Sequence, residues 1–484
     1  MNNPAPKRGQ KPSSSLDASR KAALETLVAV AVDDAYANLL LPKKLKNYQL
    51  SGRDAAFATE LTYGTARASG VLDLIIQQCS TRNLSSMDPE VLAVLRMGAY
   101  QHLHMRVDTH AAVDTTVNAV AWVNRSQKLR TAKNQKQTTA IKGFVNAVMR
   151  KLTKKSRTQW LDEIAPDRTQ DPVGYLAMLN NHPRWIAEAF ALSLGTKARE
   201  LSDALAADDA RPIVHLAAKP GEITAEELAL IVGGEQGNYS PSAVYLPSGD
   251  PGELAPVQQG LAVVQDEGSQ LIARAVSAAT LDGEDQGKWI DLCAGPGGKT
   301  AYLGAQANIA GATVDAVEIA SHRAELVRNA TRGLPVSVFE ADGTKGAAGL
   351  RAAGVDVPEG GYDRILVDAP CSGLGALRRR PEARWRKSLG DLTELVTLQT
   401  QLLDAALEMV RVGGVVVYST CSPHLRETRT VIDKALRRHK NFVEVDMNLL
   451  VHPMQDADQG LAVQMWPHRH GTDAMFLAGL RRTA

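Results

Sequence analysis

From Lys288 onward, short apolar runs alternate with longer helical patterns, and this constrains the fold more than any other feature of the chain. The runs Trp289–Leu292, Ala312–Val317, Val336–Glu340, Arg364–Val367 and Val415–Ser419 predict strands, with helices between them at, for example, Ser321–Thr331 and Asp391–Val410. Strands alternating with helices build an α/β fold around a parallel, doubly wound sheet. The tail segments Gly460–Gln464 and Ala474–Leu480 predict a closing antiparallel pair, giving a mostly parallel sheet of seven strands. In such sheets ligands bind at the carboxyl ends of the strands.

The preceding sequence has a different texture. Ala23, Leu24, Leu27, Val28 and Ala31 recur at helical spacing, and further helices are predicted over 54–66, 71–79, 109–123 and 142–152. Four regions are expected: a disordered basic tail over 1–18, an all-helical domain over 19–156, a mixed α+β segment over 157–285, and the α/β domain over 286–484. No apolar run approaches the roughly 20 residues that span a bilayer, and the Pro-, Ser- and Lys-rich start lacks the apolar core of a secretory signal. The four cysteines, Cys79, Cys293, Cys371 and Cys421, are widely separated and have no metal-ligand spacing, so free thiols, no metal site and a cytoplasmic location are expected.

The net charge of +2 conceals a strong asymmetry. Residues 1–160 carry 24 Lys and Arg against 11 Asp and Glu, a net +13, and the remainder of the chain carries −11. A basic front half on an acidic back half points to a polyanionic partner. The run Arg125–Lys142 holds six basic residues and no acidic one, as a phosphate-contacting loop would.

Asp291-Leu-Cys-Ala-Gly-Pro-Gly-Gly-Lys-Thr300 follows the first strand of the α/β region and opens a helix. Gly295, Gly297 and Gly298 allow close backbone approach to a ligand. Glu318 ends the second strand, where an acid suits the two hydroxyls of an adenosine ribose. Asp342, after the third strand, can accept from an adenine amine, and Asp368 ends the fourth. A phosphate-binding loop ending Gly298-Lys299-Thr300 would need glycine at position 293, where Cys293 stands. The glycines also lack the usual spacing of a nicotinamide dinucleotide site.

Two cysteines leave the same sheet edge: Cys371 in Asp368-Ala-Pro-Cys-Ser-Gly373, and Cys421 in Ser419-Thr-Cys-Ser422. Strand logic puts both thiols in one cleft. A thiolate adding to carbon 6 of a cytosine turns carbon 5 into a nucleophile able to take a methyl group from a sulfonium, and a second thiol can assist release. Ser422-Pro423 reads as a helix start, which would favour the Cys421 thiolate. The chemistry by itself leaves open which cysteine attacks.

These motifs resemble the NOL/NOP/Sun family of RNA cytosine-5 methyltransferases, and within it the RsmB/Sun-like bacterial subgroup. Arg378-Arg-Arg-Pro-Glu-Ala-Arg-Trp385 and Val264-Gln-Asp-Glu-Gly-Ser-Gln270 also match. The helical region is similar to the NusB RNA-binding fold, on Phe57–Arg67, Leu95–Gln101 and Gly143–Arg150. The resemblance covers nearly the whole chain after residue 19. It implies a class I, Rossmann-like methyltransferase domain that takes S-adenosylmethionine and acts on cytosine carbon 5, with 16S ribosomal RNA as the expected substrate. A tRNA substrate, or a non-catalytic RNA-binding or antitermination factor, are the alternatives. It further implies Cys421 as nucleophile, Cys371 and Asp368 as the other catalytic residues, and cofactor contacts from Cys293, Ala294, Gly295, Pro296, Gly297, Gly298, Lys299, Glu318, Asp342 and Asp368. RNA is expected on the basic N-terminal domain and the Arg378–Lys387 region, with no DNA or membrane partner, and the chain is expected to be a monomer. Two departures stand out: Glu318 occupies a position where Asp is commoner, and the Arg125–Lys142 insert is longer than the family leads one to expect.

Overall fold

The structure, a computed structural model, describes residues 16–127 and 135–484. The expected tail before residue 16 and the centre of the basic run, residues 128–134, lie outside the described residues, as do the side chains of 125–127. The chain divides into two compact units, one running to Arg184 and including Arg379–Arg386, the other formed by Trp185–Arg378 and Lys387–Ala484.

The first unit is helical, with α1 (Ala18–Val32), α2 (Ala37–Asn47), α3 (Gly52–Cys79), α4 (Pro89–Leu103), α5 (Thr109–Gln127), α6 (Gln135–Leu152), α7 (Arg157–Ile164) and α8 (Pro172–Leu179). Its apolar stripes meet in one core that includes Leu24, Leu61, Ile75, Leu95, Val145 and Met149. Asp17 caps α1 by accepting from the Arg20 amide at 3.0 Å, so the last residues of the expected tail already belong to a helix start. The two helices expected over 54–66 and 71–79 are one. Leu61, Ala68, Leu72 and Ile75 carry the buried stripe through, and Gly70 is no break: a Cβ there would overlap the ring of Trp385. The helical unit also continues past 156, because Trp160 on α7 is buried in the same core and donates to the Leu152 carbonyl at 3.0 Å.

The segment Arg379–Arg386 corrects an expectation. RNA is expected on Arg378–Lys387, yet Arg384 is fully buried and donates to the Asn181 carbonyl at 3.1 Å. The Trp385 indole donates to the Arg67 carbonyl at 2.7 Å, and Arg386 donates to the Val30 carbonyl. Arg378, in the second unit, is buried too. Its guanidinium binds Asp473 at 2.7 Å and the Gly471 carbonyl at 2.7 Å, and lies 3.5 Å from Asp266. A guanidinium taken out of water needs such partners, and these two are thereby committed to the fold.

The second unit opens with α9 (Arg184–Leu194) and α10 (Leu201–Asp209). There follow β1 (Val214–Ala218), α11 (Ala225–Val232), β2 (Glu235–Gln236), β3 (Ala243–Leu246), α12 (Ala255–Gln258) and β4 (Ala262–Val264). The four strands form an antiparallel sheet in the order β2-β3-β1-β4 over a small core of Leu216, Leu228, Val244 and Ala262. Helix α13 (Glu267–Ala278) leads into the main sheet.

That sheet is built from β5 (Lys288–Asp291), α14 (Gly298–Ala310), β6 (Thr313–Glu318), α15 (Ser321–Ala330), β7 (Val336–Glu340), α16 (Gly346–Ala352), β8 (Tyr362–Asp368), α17 (Asp391–Met409), β9 (Val410–Thr420), α18 (Arg429–Arg438), β10 (Phe442–Val445), β11 (Asp458–Gln459), β12 (Ala462–Gln464), α19 (Pro467–His470) and β13 (Phe476–Arg482). It has nine strands rather than seven, the short β10 and β11 being additions at its antiparallel side. β7-β6-β5-β8-β9 are parallel and β13 runs antiparallel beside β9. Successive side chains leave opposite faces of a strand. Ile365, Val367, Val416 and Tyr418 pack towards Leu402, Leu403 and Ile432, whereas Leu366 and Val417 pack towards Leu271, Ile272 and Leu303. β9 starts five residues before its expected beginning at Val415. The strand passes through Gly413, at φ +76°, with a register irregularity against β8.

Candidate active site

Asp291, Glu318 and Asp368 end β5, β6 and β8 at one edge of the sheet, and Cys421 follows the last residue of β9. Register carries the alignment, since Asp291 pairs with Ala316 and Asp368 with Ser419.

The loop Leu292–Gly297 crosses this edge into α14. Gly297, at φ +111°, lies so close to α15 that a Cβ would stand 2.8 Å from Ala330 Cβ. A Cβ on Gly295 would overlap Glu318 Oε2. Only glycine permits these approaches, and they bring bare backbone to the strand ends. Glu318, almost wholly buried, accepts from the Gly295 amide at 3.1 Å and the Ala320 amide at 3.0 Å. Arg323 binds the same carboxylate at 2.9 Å and donates to the Gly295 carbonyl at 2.9 Å. Arg323 escaped the sequence reading, although a basic residue five positions past a strand-end acid was visible. Asp342 accepts from the Thr344 amide at 3.0 Å and hydroxyl at 2.7 Å, and Lys345 lies 3.9 Å from its second oxygen. Glycine-lined backbone with acids at successive strand ends is a cradle that fits an adenosine-bearing cofactor.

Deeper in the edge, Lys299 of α14 donates to Asp368 Oδ2 at 2.8 Å, and the Ser419 hydroxyl donates to Oδ1 at 2.8 Å. Burial works against the Lys299 charge, but the charge and hydrogen bond of Asp368 outweigh it and hold the ammonium above its ordinary range. Asp291 accepts from the Thr300 hydroxyl at 2.8 Å and the Cys293 amide at 3.2 Å. Burial, with the nearby charge of Asp368, pushes its carboxyl up to about 7.

The two cysteine sulfurs are 3.4 Å apart. The hydrogen bond from Cys371 lowers the Cys421 thiol against the opposing effects of burial and Asp368, with the charge of Lys299 assisting. The same bond, with burial, raises Cys371. Burial and the surrounding carboxylates raise Cys293 as well. Thiolate character therefore concentrates on Cys421. The expected cause, a helix start just after Cys421, is absent. No helix starts at Ser422-Pro423: a 3-10 turn over Leu425–Glu427 intervenes and α18 begins only at Arg429, too far for its N-terminus to act on the sulfur. The loop after Cys371 folds over Cys421, whose carbonyl accepts from the Gly375 amide at 2.9 Å.

Cys421 thus contacts Cys371, and the Lys299–Asp368 ion pair acts on it through charge. Cys293–Gly298 and Glu318 form the adjoining cradle. Asp342 lies beyond the end of β7, the outermost parallel strand.

Residues 278–481 match the family described as 16S rRNA methyltransferase RsmB/F, and residues 17–154 match the NusB family. The chain is 53% identical to the putative methyltransferase Rv1407 of Mycobacterium tuberculosis, over 96% of this chain and 97% of that one. It is 29% identical to the probable ribosomal RNA small subunit methyltransferase B of Bacillus subtilis, over 96% and 98% of the two chains. Its fold resembles the solved structure titled PH0851, with a TM-score of 0.77 at 19% identity over 95% of this chain and 98% of that one.

Proposed function

The chain belongs to the 16S rRNA methyltransferase RsmB/F family, and from that premise we propose that it methylates carbon 5 of a cytosine in 16S ribosomal RNA through a covalent Cys421 adduct. As a member it is an S-adenosylmethionine-dependent RNA methyltransferase with a NusB-like helical domain. The observation that carries the finer reading is the pair of sulfurs 3.4 Å apart beside the Lys299–Asp368 ion pair. The names of relatives such as the Bacillus subtilis protein support the small-subunit RNA as substrate.

In this reading the backbone from Cys293 to Gly298, with Lys299, Glu318, Asp342 and Asp368, would hold S-adenosylmethionine, which would supply an electrophilic methyl group. The target cytosine is unstacked into the cleft, because carbon 6 is out of reach inside a helix. The Cys421 thiolate adds to carbon 6, and the electron pair displaced to carbon 5 would take the methyl group as the sulfonium–methyl bond breaks and its electrons stay on the sulfur. Loss of the carbon-5 proton then expels the Cys421 thiolate and restores the ring. Cys371 suits that last step. Its thiol is raised first by the hydrogen bond to Cys421 and also by the Cys421 charge. Both influences weaken once the Cys421 sulfur is bonded to carbon, so Cys371 ionises more readily, and is available to take a proton, only after the adduct forms.

The test incubates the full chain with labelled S-adenosylmethionine and 16S RNA, small ribosomal subunits or tRNA, comparing wild type, Cys421→Ala and Cys371→Ala. Methylation of a small-subunit cytosine should vanish in Cys421→Ala, while Cys371→Ala should accumulate covalently linked RNA. Turnover by Cys421→Ala refutes the nucleophile. A wild type inactive on every RNA favours a non-catalytic binding factor, and labelling of tRNA alone moves the substrate.

A further inference from the structure

Beneath the two cysteines lies a carboxylate that the reaction above does not use. Glu427, in the 3-10 turn before α18, has no solvent exposure. Its Oε1 accepts from the Ser372 amide at 2.7 Å and from Gln399 Nε2 at 3.0 Å. Its Oε2 accepts from the Ser422 hydroxyl at 2.7 Å and from the Ser372 hydroxyl. Ser372 and Ser422 directly follow Cys371 and Cys421, and their own hydroxyls stand 3.1 Å apart. Gln399 also donates to the carbonyl of Pro370, the residue before Cys371, at 2.8 Å. The Tyr418 hydroxyl anchors the Glu427 carbonyl at 2.7 Å from inside β9.

We propose that Glu427 is a positioning residue that holds the Cys371 and Cys421 loops at the spacing at which the two sulfurs meet. Burying an ionised carboxylate is costly unless every lone pair finds a donor. Here four donors fill the two oxygens, and three of them come from the residues next to the cysteines. An apolar side chain would fill the same space without tying the two loops together. β8 and β9 bring the cysteines to the same edge, but both sulfurs lie beyond the last strand hydrogen bonds, where the ladder no longer sets their distance.

The proposal rests on the covalent reading, so its test uses a measurement that needs no turnover. Alkylation of Cys421 by iodoacetamide is followed against pH by peptide mass spectrometry in wild type, Glu427→Ala and Glu427→Gln, and methylation kinetics are taken alongside. Cys371, Asp368, Lys299 and Asp473 remain around Cys421 in all three, and both variants lose the Glu427 charge that helps to raise Cys371, so an effect of that charge alone would move the two variants alike. Loss of the clamp should part the sulfurs, so Cys421 in Glu427→Ala should react about tenfold more slowly at pH 7. Its kcat should fall while the KM for S-adenosylmethionine stays put. Glu427→Gln should remain within about twofold of wild type, because its carbonyl can face the Ser372 amide and Gln399 while its amine faces the two hydroxyls. A folded Glu427→Ala with the wild-type alkylation profile and kcat overturns the proposal, as does a folded Glu427→Gln as impaired as the alanine variant. Should Glu427→Ala fail to fold, the Ser372→Ala/Ser422→Ala pair takes its place, with the same slowing expected and an unchanged profile overturning the idea. If wild type fails to methylate cytosine but the alkylation results hold, the clamp stands and the covalent reading falls.

Discussion

Asp368 is shared between two neighbours of the cysteine pair, accepting from Lys299 at 2.8 Å on one oxygen and from Ser419 at 2.8 Å on the other. Its position next to a lysine keeps a positive charge beside Cys421 and spares the sulfur part of the carboxylate's repulsion. The electrostatics of the site therefore depend on contacts among four strand-end and loop residues, and each contact can be removed separately.

Cys371→Ala deletes the first cause of the lowered Cys421 thiol. Cys421 should then need a higher pH for alkylation, reacting several-fold more slowly at pH 7. In wild type Cys421 should react first. Cys79, Cys293 and Cys371, all raised above the ordinary thiol range, should follow it. An order in which Cys293 precedes Cys421 would contradict the charge arrangement.

Asp291 carries its proton up to about pH 7 in the folded protein, against 3.8 ordinarily. A carboxyl raised in this way binds its proton more tightly folded than unfolded. Stability is thus fully present below about pH 4 and declines as pH rises towards 7, by an amount on the order of 2–4 kcal/mol. Asp291→Asn removes this dependence. Melting curves should show the variant gaining on wild type between pH 5 and pH 8, whatever its offset at pH 5.

Glu318 is held ready by two backbone amides and Arg323. Glu318→Ala should weaken S-adenosylmethionine binding by about 10- to 100-fold in calorimetry, the worth of a charge-assisted hydrogen bond or two. Glu318→Asp, one methylene shorter, should cost less. Equal affinity in Glu318→Ala would remove Glu318 from the cofactor contacts.

Arg378 separates structural from RNA-binding arginines. Arg378→Ala withdraws the guanidinium from buried Asp473 and Asp266, and should cost about 3–5 kcal/mol of stability. The salt dependence of RNA binding should stay as in wild type, because no phosphate contact is lost. A shallower salt slope in a folded Arg378→Ala protein would return Arg378 to the RNA surface.

Gly70→Ala places a methyl group in the ring of Trp385. Overpacking of this kind costs about 1–3 kcal/mol. The melting temperature should drop, and tryptophan fluorescence should report a displaced Trp385 indole.

Local pattern made the main sheet legible. Strand length and the helices between strands are properties of adjacent residues, so a parallel sheet and the strand-end places of Glu318, Asp342, Asp368, Cys371 and Cys421 follow from the sequence. The errors share one cause. Helix α3 was expected as two pieces and β9 to begin at Val415, whereas Gly70 and Gly413 sit against distant partners, Trp385 and the Asp282 carbonyl. Arg378 and Arg384 looked like surface charge because their partners, Asp473 and the Asn181 carbonyl, are 95 and 203 residues away.

By itself, then, the sequence determined the alternation of strands and helices in the main sheet and which residues lie at its strand ends, since periodicity and strand ends are encoded within a few residues. Tertiary structure alone decided the 3.4 Å between the sulfurs, the Lys299–Asp368 pair and the burial of Glu427 between two loops. Those depend on contacts between segments 28 to 69 residues apart. Such contacts form only when packing and desolvation bring distant groups together, and no local pattern records them.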